Sequence, residues 1–486
     1  MTLEVELKLA IAQSAAMRVM RSAVFGGEIQ TRHHASTYYD TPSQTLRSAG
    51  VSLRVRREDH ALVQTIKVRN GAVAGLFRRN EWTTSLHGED PAPDERTGVP
   101  QILERSGEEL QPQFTVSLQR EVLDLSLDDG SAVEVAIDTG ITAGADRSER
   151  FGEIEFELRR GDPAALFELA RKVDAIAPVR IGVLTKADRG WRLLAPVTTL
   201  VKGDLPHLDS AMSVRAAFEA VASACVAHYR LNEDILLRRH SGGAVHQARI
   251  ALRRLRAALR AFAPILPGPE PVALDRRLRS LAIALGQVRD LDVMIGRCEA
   301  EALREQMTGA RSEAWRHLRR RLGAKHTRGL LIDLAEWIEC GGWRTDPAAL
   351  SAREAPLGPF AAEALDRRLR KVRRHGRRLD RMDEEALHRL RKDAKKLRYT
   401  AEAFATLFAG KSRAHRREAF LAAMEGLQDD LGALNDLRVA EAWLERQGLA
   451  DLPEARDWIA SMHERRHLKR ARKERHELLD IKPFWR

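Results

Sequence analysis

Glu4, Glu6 and Lys8 stand two residues apart in EVELK, close to the first residue of the chain. On a strand, that spacing puts all three on one face, while Val5, Leu7 and Leu9 take the other. The same spacing returns in LRVR at Arg54 and Arg56, in RRNEW at Arg79 and Glu81, and in GEIEFEL at Glu153, Glu155 and Glu157. Lys67 lies within TIKV, Arg120 within VSLQREVLDL, and Asp138 ends VEVAID. Carboxylates gathered in one lumen repel each other unless a divalent cation neutralises them, and hard Mg²⁺ or Mn²⁺ suits oxygen ligands. Gathered Arg and Lys need an anion, and guanidinium geometry matches two phosphate oxygens at a time. Both sets together describe a site for a metal-bound polyphosphate, with the bases steadying the transferred group. No GxxxxGK[ST] loop is present, which excludes a P-loop enzyme. For a single pair such as Arg54/Arg56, a solvated sheet face is the better explanation; the ordered set outweighs it.

A second constellation is wholly basic. His246, Arg249, Arg253, Arg254 and Arg256 fall in HQARIALRRLR, and His388, Arg391, Lys395, Lys396 and Arg398 repeat the pattern in HRLRKDAKKLR. Downstream, LGQVRDLDVM from Leu285 is echoed by LGALNDLRVA from Leu431. Two echoes at nearly one offset mark an internal duplication. Positions 246, 249, 253, 256 and 388, 391, 395, 398 advance by three, four and three, one stripe on a helix. Like charges so aligned cost a few tenths of a kcal/mol per pair, a cost that a polyanion lying along them reverses. Asp290 and Asp436, in the second echo, are placed to anchor some of these bases. Nucleic acid is a weaker partner for the stripes: no helix-turn-helix, zinc-finger or RNA-recognition pattern occurs, and aromatic residues are only 5% of the chain.

These sites need two unlike scaffolds. The chain has 486 residues and a net charge of +12, but the balance is −3 over residues 1–203 and +15 over 204–486. Up to Trp191, short alternating runs such as Leu3 to Leu9, Val51 to Arg57, Leu62 to Val68, Ala132 to Ile137 and Glu153 to Leu158 predict an antiparallel sheet or closed barrel. After Met212, long Ala/Leu/Arg segments with helical periodicity predict an all-α half. Pro196 to Ser210 is the natural linker. No apolar stretch reaches the roughly 20 residues of a membrane helix, and MTLEVELKLA lacks the form of a signal peptide. The bases are interleaved with acids, unlike a membrane-surface helix. Cys225, Cys298 and Cys340 lie far apart, neither a disulfide framework nor a zinc knuckle, and predict a reducing cytoplasm.

EVELK resembles the ExExK signature of the CYTH domain, the triphosphate tunnel metalloenzyme superfamily. TYYDTP, LRVR, TIKV, RRNEW, QREVLDL, VEVAID, GEIEFEL and LTKADRGW follow in the family's order. The resemblance implies an eight-stranded antiparallel tunnel open at both ends that cleaves or cyclises triphosphate substrates with Mg²⁺ or Mn²⁺. It implies that Glu4, Glu6, Glu153, Glu155 and Asp138 bind metal, and that Glu81 helps to position the metal or Arg79. Arg54, Arg56, Lys67, Arg79, Arg120 and Lys186 would hold triphosphate, with Lys8, Arg54 and Arg56 serving the chemistry. The stripes and their echoes resemble the CHAD domain, a helical module that binds inorganic polyphosphate and associates with its granules. That implies phosphate contacts from His246, Arg249, Arg253, Arg256, His388, Arg391, Lys395 and Arg398. The expected protein is α+β: a β tunnel over 1–200, a linker over 201–211, and two pseudo-symmetric four-helix bundles over 212–486. The expected activity is cytoplasmic hydrolysis of inorganic triphosphate or short polyphosphate ends. Adenylyl cyclase of the same tunnel class and a non-catalytic polyphosphate-binding protein are the alternatives.

Overall fold

The computed structural model describes residues 2–22, 24–58, 61–375, 384–408 and 410–486. The chain packs as two compact units. The first is Met1–Thr199 with Gly323–Gly341, and the second is Leu200–Leu322 with Gly342–Arg486.

Strands β1 (Thr2–Ile11), β2 (Gln30–Asp40), β3 (Val51–Glu58), β4 (Ala61–Val73), β5 (Leu76–Leu86), β6 (Gln111–Ser126), β7 (Ala132–Gly144) and β8 (Arg147–Arg160) form the first unit's sheet. They run in the order β5-β4-β3-β2-β6-β7-β8-β1, all antiparallel, and β1 closes the barrel on β5. A two-residue strand, β9 (Arg180–Ile181), adds to β1 at Leu9 and Ala10.

The barrel is inverted relative to an oil-filled one. Leu7, Leu9, Leu53, Ile66, Ile154 and Phe156 are almost wholly buried on its outer face, beneath helices. Val99 and Leu46, from helices Val99–Ser106 and Thr45–Ser48, cover Val51, Leu53 and Ile66. Helices Gln13–Arg21 and Ala164–Ile176 cover β8. At about 1.5–3 kcal/mol for each large apolar side chain buried, the outer layer supports the fold and frees the interior for charge. AALFELARKVDAI, which forms helix Ala164–Ile176, lies outside the alternating runs that predicted the sheet.

The interior is not open throughout, as the family resemblance implied. Helix Lys186–Leu194 packs Ala187 and Trp191 onto the inward-facing Tyr38, Phe114, Val116, Leu118 and Phe151. Gly190 is required there, because a Cβ would fall 2.0 Å from the Phe114 ring. Thr185 and Asp188 cap that helix reciprocally: Thr185 Oγ1 accepts from Asp188 N at 3.0 Å, and Asp188 Oδ2 accepts from Thr185 N at 2.9 Å. This cap places Lys186 at the first helical position, pointing into the remaining lumen.

The second unit is helical. Val214–Arg238, Gly242–Ala261, Glu270–Arg297 and Glu301–Gly323 form a first run, and Leu357–His375, Glu384–Ala403, Lys411–Gln447 and Glu464–Asp480 a second. The two basic stripes occupy the second helix of each run, and their echoes the third. Ser213 and Ser241 cap the first two helices through Oγ. The linker is no free tether: Asn232 accepts from Val201 N at 3.0 Å and donates to Val201 O at 2.9 Å.

Candidate functional site

Strand register explains which interior charges meet. Glu4 lies opposite Arg79, Lys67 opposite Glu81, Lys8 opposite Glu155, and Arg120 opposite Asp138, four cross-strand pairs of opposite sign. Some opposed acids are like-charged, among them Asp138 with Glu153, and Glu157 with both Glu134 and Glu6. The remaining cavity, of about 150 Å³, is lined by Glu4, Glu6, Glu81, Glu134, Glu155 and Glu157 and by Lys8, Arg54, Arg56, Lys67, Arg79, Arg120 and Lys186. Opposite charges thus nearly cancel, and most of them are paired across neighbouring strands.

The six acids expected to bind metal fall into two groups. Asp138, Glu153 and Glu155 each offer an oxygen within 4.8 Å of the others, all three buried. Arg120 grips Asp138 with two bonds of 2.7 and 2.6 Å and reaches Glu155 at 2.5 Å. Lys186 lies 2.7 Å from Asp138, 3.0 Å from Glu153 and 2.8 Å from Glu155. Lys8 pairs with Glu155 and stands 3.4 Å from Glu153. Burial alone would raise Asp138, but Arg120 and Lys186 draw it down to about 2. Burial likewise opposes the charge of Lys8, and Glu155 and Glu153 hold it above the ordinary lysine value.

Glu4, Glu6 and Glu81 form the other group. Lys67 lies 2.8 Å from Glu4 and 3.0 Å from Glu81, and Arg79 pairs with Glu6. Burial pushes Glu4 up, but Lys67 and Arg79 outweigh it, so its carboxyl sits below the usual range. Lys8, 3.2 Å from Glu6, joins this group to the first.

Arg54 and Arg56 make the opposite wall. Burial, with Arg54 and Arg120 nearby, lowers Arg56 to about 10. A cation weakened by its neighbours is one that gains from an anion. The lining also takes in Tyr38 and Glu134, which the sequence reading passed over, and Glu157, the third acid of GEIEFEL. Glu134 sits in VEVAID at the alternation that pointed to Asp138, so its signal was present. Burial, then Glu4 and Glu134 against Arg159, raises Glu157 to about 7.

The residues fit a divalent cation. Three buried carboxylates converge on one point, two of them directly opposed across β7 and β8, and their present partners are Lys and Arg side chains.

In the second unit, the stripes are only partly one site. Arg249 and Arg253 from helix Gly242–Ala261 interact electrostatically with Arg391 and Lys395 from helix Glu384–Ala403. Burial and these three arginines lower Lys395 to about 6. Burial, then Arg289, Arg253 and Arg249, lowers His246 to about 4, so near neutral pH it offers hydrogen bonds and no charge. Arg289 is an addition the sequence reading passed over. Arg256 is instead engaged by Asp275 at 2.7 Å, and Arg398 by Glu402 at 2.6 Å. His388 is exposed and lines a small cleft with Arg391 and Asn435. Asp290 anchors Arg249, at 3.5 Å, and Asp436, which pairs with Arg297 at 3.1 Å, also favours the charged forms of Arg391 and Lys395. Among the described residues, no helix is long and apolar enough to cross a membrane.

Comparison with known proteins agrees with both halves. The CYTH domain model matches residues 2–191, and the CHAD domain model matches residues 220–445. An inorganic triphosphatase of Haemophilus influenzae is 31% identical over 193 residues, 39% of this chain and 54% of that protein. The chain thus spans about half the length of that relative. Uncharacterized proteins from two strains of Mycobacterium tuberculosis are 27% identical over 441 residues, 82% of this chain and 82% of each. The crystal structure of the CHAD domain from the plant Ricinus communis is 25% identical, with a TM-score of 0.49, covering 57% of this chain and 96% of that one. With ordered motifs, a closed charged barrel and both family models in agreement, the chain belongs to the proteins that join a CYTH domain to a CHAD domain.

Proposed function

We propose that the barrel hydrolyses inorganic triphosphate with a divalent metal, and that the Arg249–Arg253–Arg391–Lys395 cluster binds inorganic polyphosphate. The observation that carries the first reading is the lumen itself, lined by six carboxylates and by seven Arg and Lys side chains. At about 150 Å³ it is well below the roughly 300 Å³ at which pockets for organic ligands begin, which favours a bare phosphate chain over a nucleotide. The triphosphatase of Haemophilus influenzae adds support for the same substrate class.

Arg54, Arg56 and Arg120 would take phosphoryl oxygens, with Lys67, Arg79, Lys186 and Lys8 around the chain. Asp138, Glu153 and Glu155 would hold the metal, with Glu4, Glu6 and Glu81 as the second acidic group. Mg²⁺ or Mn²⁺ bound there supplies charge neutralisation at the phosphoryl oxygens and a more acidic water. A phosphate chain entering the lumen would draw the basic side chains from their carboxylate partners, and the carboxylates so freed would be the ones to hold the metal. Water forms a bond to the terminal phosphorus, the bridging P–O bond breaks, and orthophosphate and pyrophosphate result. The test is the ratio of kcat/KM for tripolyphosphate to that for ATP: a strong preference for tripolyphosphate supports this reading, and conversion of ATP to cyclic AMP would replace it with a cyclase.

The helical cluster carries its own expectation. Lys395, lowered to about 6 by burial and three arginines, is mostly uncharged at pH 7.5 in the free protein. A polyanion favours the charged form, so binding takes up a proton. Affinity for long-chain polyphosphate should therefore rise as pH falls from 8 to 6, by up to about tenfold per unit, and level off below 6. Titration calorimetry in buffers of different ionisation enthalpy measures the proton directly, and Lys395→Met should abolish the uptake. A cytoplasmic setting, at polyphosphate granules, suits this reading and three unbridged cysteines.

A further inference from the structure

Residues 323–341 follow helix Glu301–Gly323 of the second unit and precede its next segment, yet they pack with the first unit. Their helix, Lys325–Cys340, lies on helix Ala164–Ile176, on β9 and on β4. Leu330, Leu331, Leu334, Ala335, Trp337 and Ile338 are buried. Three charged anchors accompany them. Arg328 Nε donates to Asp174 Oδ1 at 2.6 Å, and the same oxygen accepts from Val179 N, just before β9, at 3.1 Å. Arg171 donates to Asp333 at 3.1 Å and to Glu336 at 3.2 Å. Arg78 donates to Glu339 at 3.0 Å.

Two of these anchors, Asp174 and Arg78, lead on to lumen residues. β9 pairs Ile181 with Leu9, and Gly182 N donates to Lys8 O at 2.7 Å. Lys8 N donates in turn to Gly75 O at 3.1 Å, and Gly75, at φ +99°, leaves room for Ile181, whose Cγ2 would stand 2.2 Å from a Cβ there. Three residues after Gly182, Thr185 caps the helix that begins with Lys186. Arg78 is the outward neighbour of Arg79 on β5.

From this placement we infer that Lys325–Cys340 is a positioning element of the barrel lumen. Its docking sets the backbone of β9 and β5, and through them the reach of Lys8, Lys186 and Arg79. The functional half of the inference rests on the reading of the lumen as a triphosphate site; the structural half does not. A misplacement near 1 Å at such groups can cost up to 10²-fold in rate, so a modest loosening should be measurable.

The experiment uses the full chain with Arg78→Glu, Glu339→Arg and the double exchange, and Arg171→Ala as a milder break at another anchor. Hydrogen exchange over segments 5–11 and 178–186 is followed beside KM and kcat for tripolyphosphate, well below each variant's Tm. The single variants should exchange faster in both segments and raise KM by about tenfold. The double exchange should restore both, and Arg171→Ala should show a smaller shift in the same direction. Lowered Tm with unchanged exchange in both segments and unchanged KM would overturn the inference, because the helix would then only add stability. A wild-type chain that leaves tripolyphosphate intact defeats the triphosphate reading, and the exchange data still decide whether the helix positions β9.

Discussion

Glu155→Gln is expected to lower metal-dependent cleavage of tripolyphosphate by a factor on the order of 10³, the scale set by losing one preorganised electrostatic contact in a closed site. Glu155 is the carboxylate that Lys8, Lys186 and Arg120 share. The amide keeps the shape and removes the charge, so Asp138 and Glu153 remain to balance two buried lysines and the part-buried Arg120. Removing one partner of a buried ion pair typically costs about 3–5 kcal/mol, so Tm should fall as well. Activity measured well below that Tm separates the two effects. Polyphosphate binding should be unchanged, because Arg249, Arg253, Arg391 and Lys395 all lie in the other unit. Near-normal turnover in this variant would remove the converging trio from the metal assignment and leave Glu4, Glu6 and Glu81 as its bearers.

Replacing both Arg249 and Arg391 by Ala should weaken binding of long-chain polyphosphate by roughly 10- to 100-fold at 0.15 M salt. If each arginine neutralises one phosphate, the slope of log affinity against log salt should flatten by about 1.4, near the single-strand value of 0.7 per contact. The two residues occupy matching places in the duplicated helices, and both contribute to lowering Lys395. Their removal should therefore also raise the pKa of Lys395 and shrink the proton uptake on binding. Filter binding across a salt series reads the first effect, and calorimetry the second. Unchanged affinity and slope would make the stripes an ordinary solvated helix face.

The lumen was legible because strand alternation has a period of two, and charges at Glu4, Glu6, Lys8, Arg54, Arg56, Glu153 and Glu155 hold to it. What alternation alone could not supply was register. Only the pairing of β1 with β8 and of β7 with β8 shows that Glu155 faces Lys8 and that Asp138 faces Glu153, so the six acids divide into two groups. The stripes show the same limit on helices. A spacing of three, four and three put His246, Arg249, Arg253 and Arg256 on one line, yet the acids that claim Arg256 and Arg398 come from elsewhere, Asp275 from a neighbouring helix and Glu402 from the next turn. Lys186 entered only through the family resemblance of LTKADRGW, and a helix cap sets its direction. The sequence offered least about residues 323–341, whose amphipathic pattern fits a helix on either unit; Asp174, Arg171 and Arg78 decide where it docks.

The most direct measurement is the time course of phosphate release from tripolyphosphate by the full chain, with Mg²⁺ or Mn²⁺ and again after chelation. The account predicts rapid release with metal, near-complete loss on chelation, recovery on re-addition, and ATP as a poor substrate. Release that persists without metal would contradict the carboxylate assignment. No release from tripolyphosphate under any of these conditions would contradict the central claim, and leave the barrel as a polyanion-binding lumen without turnover.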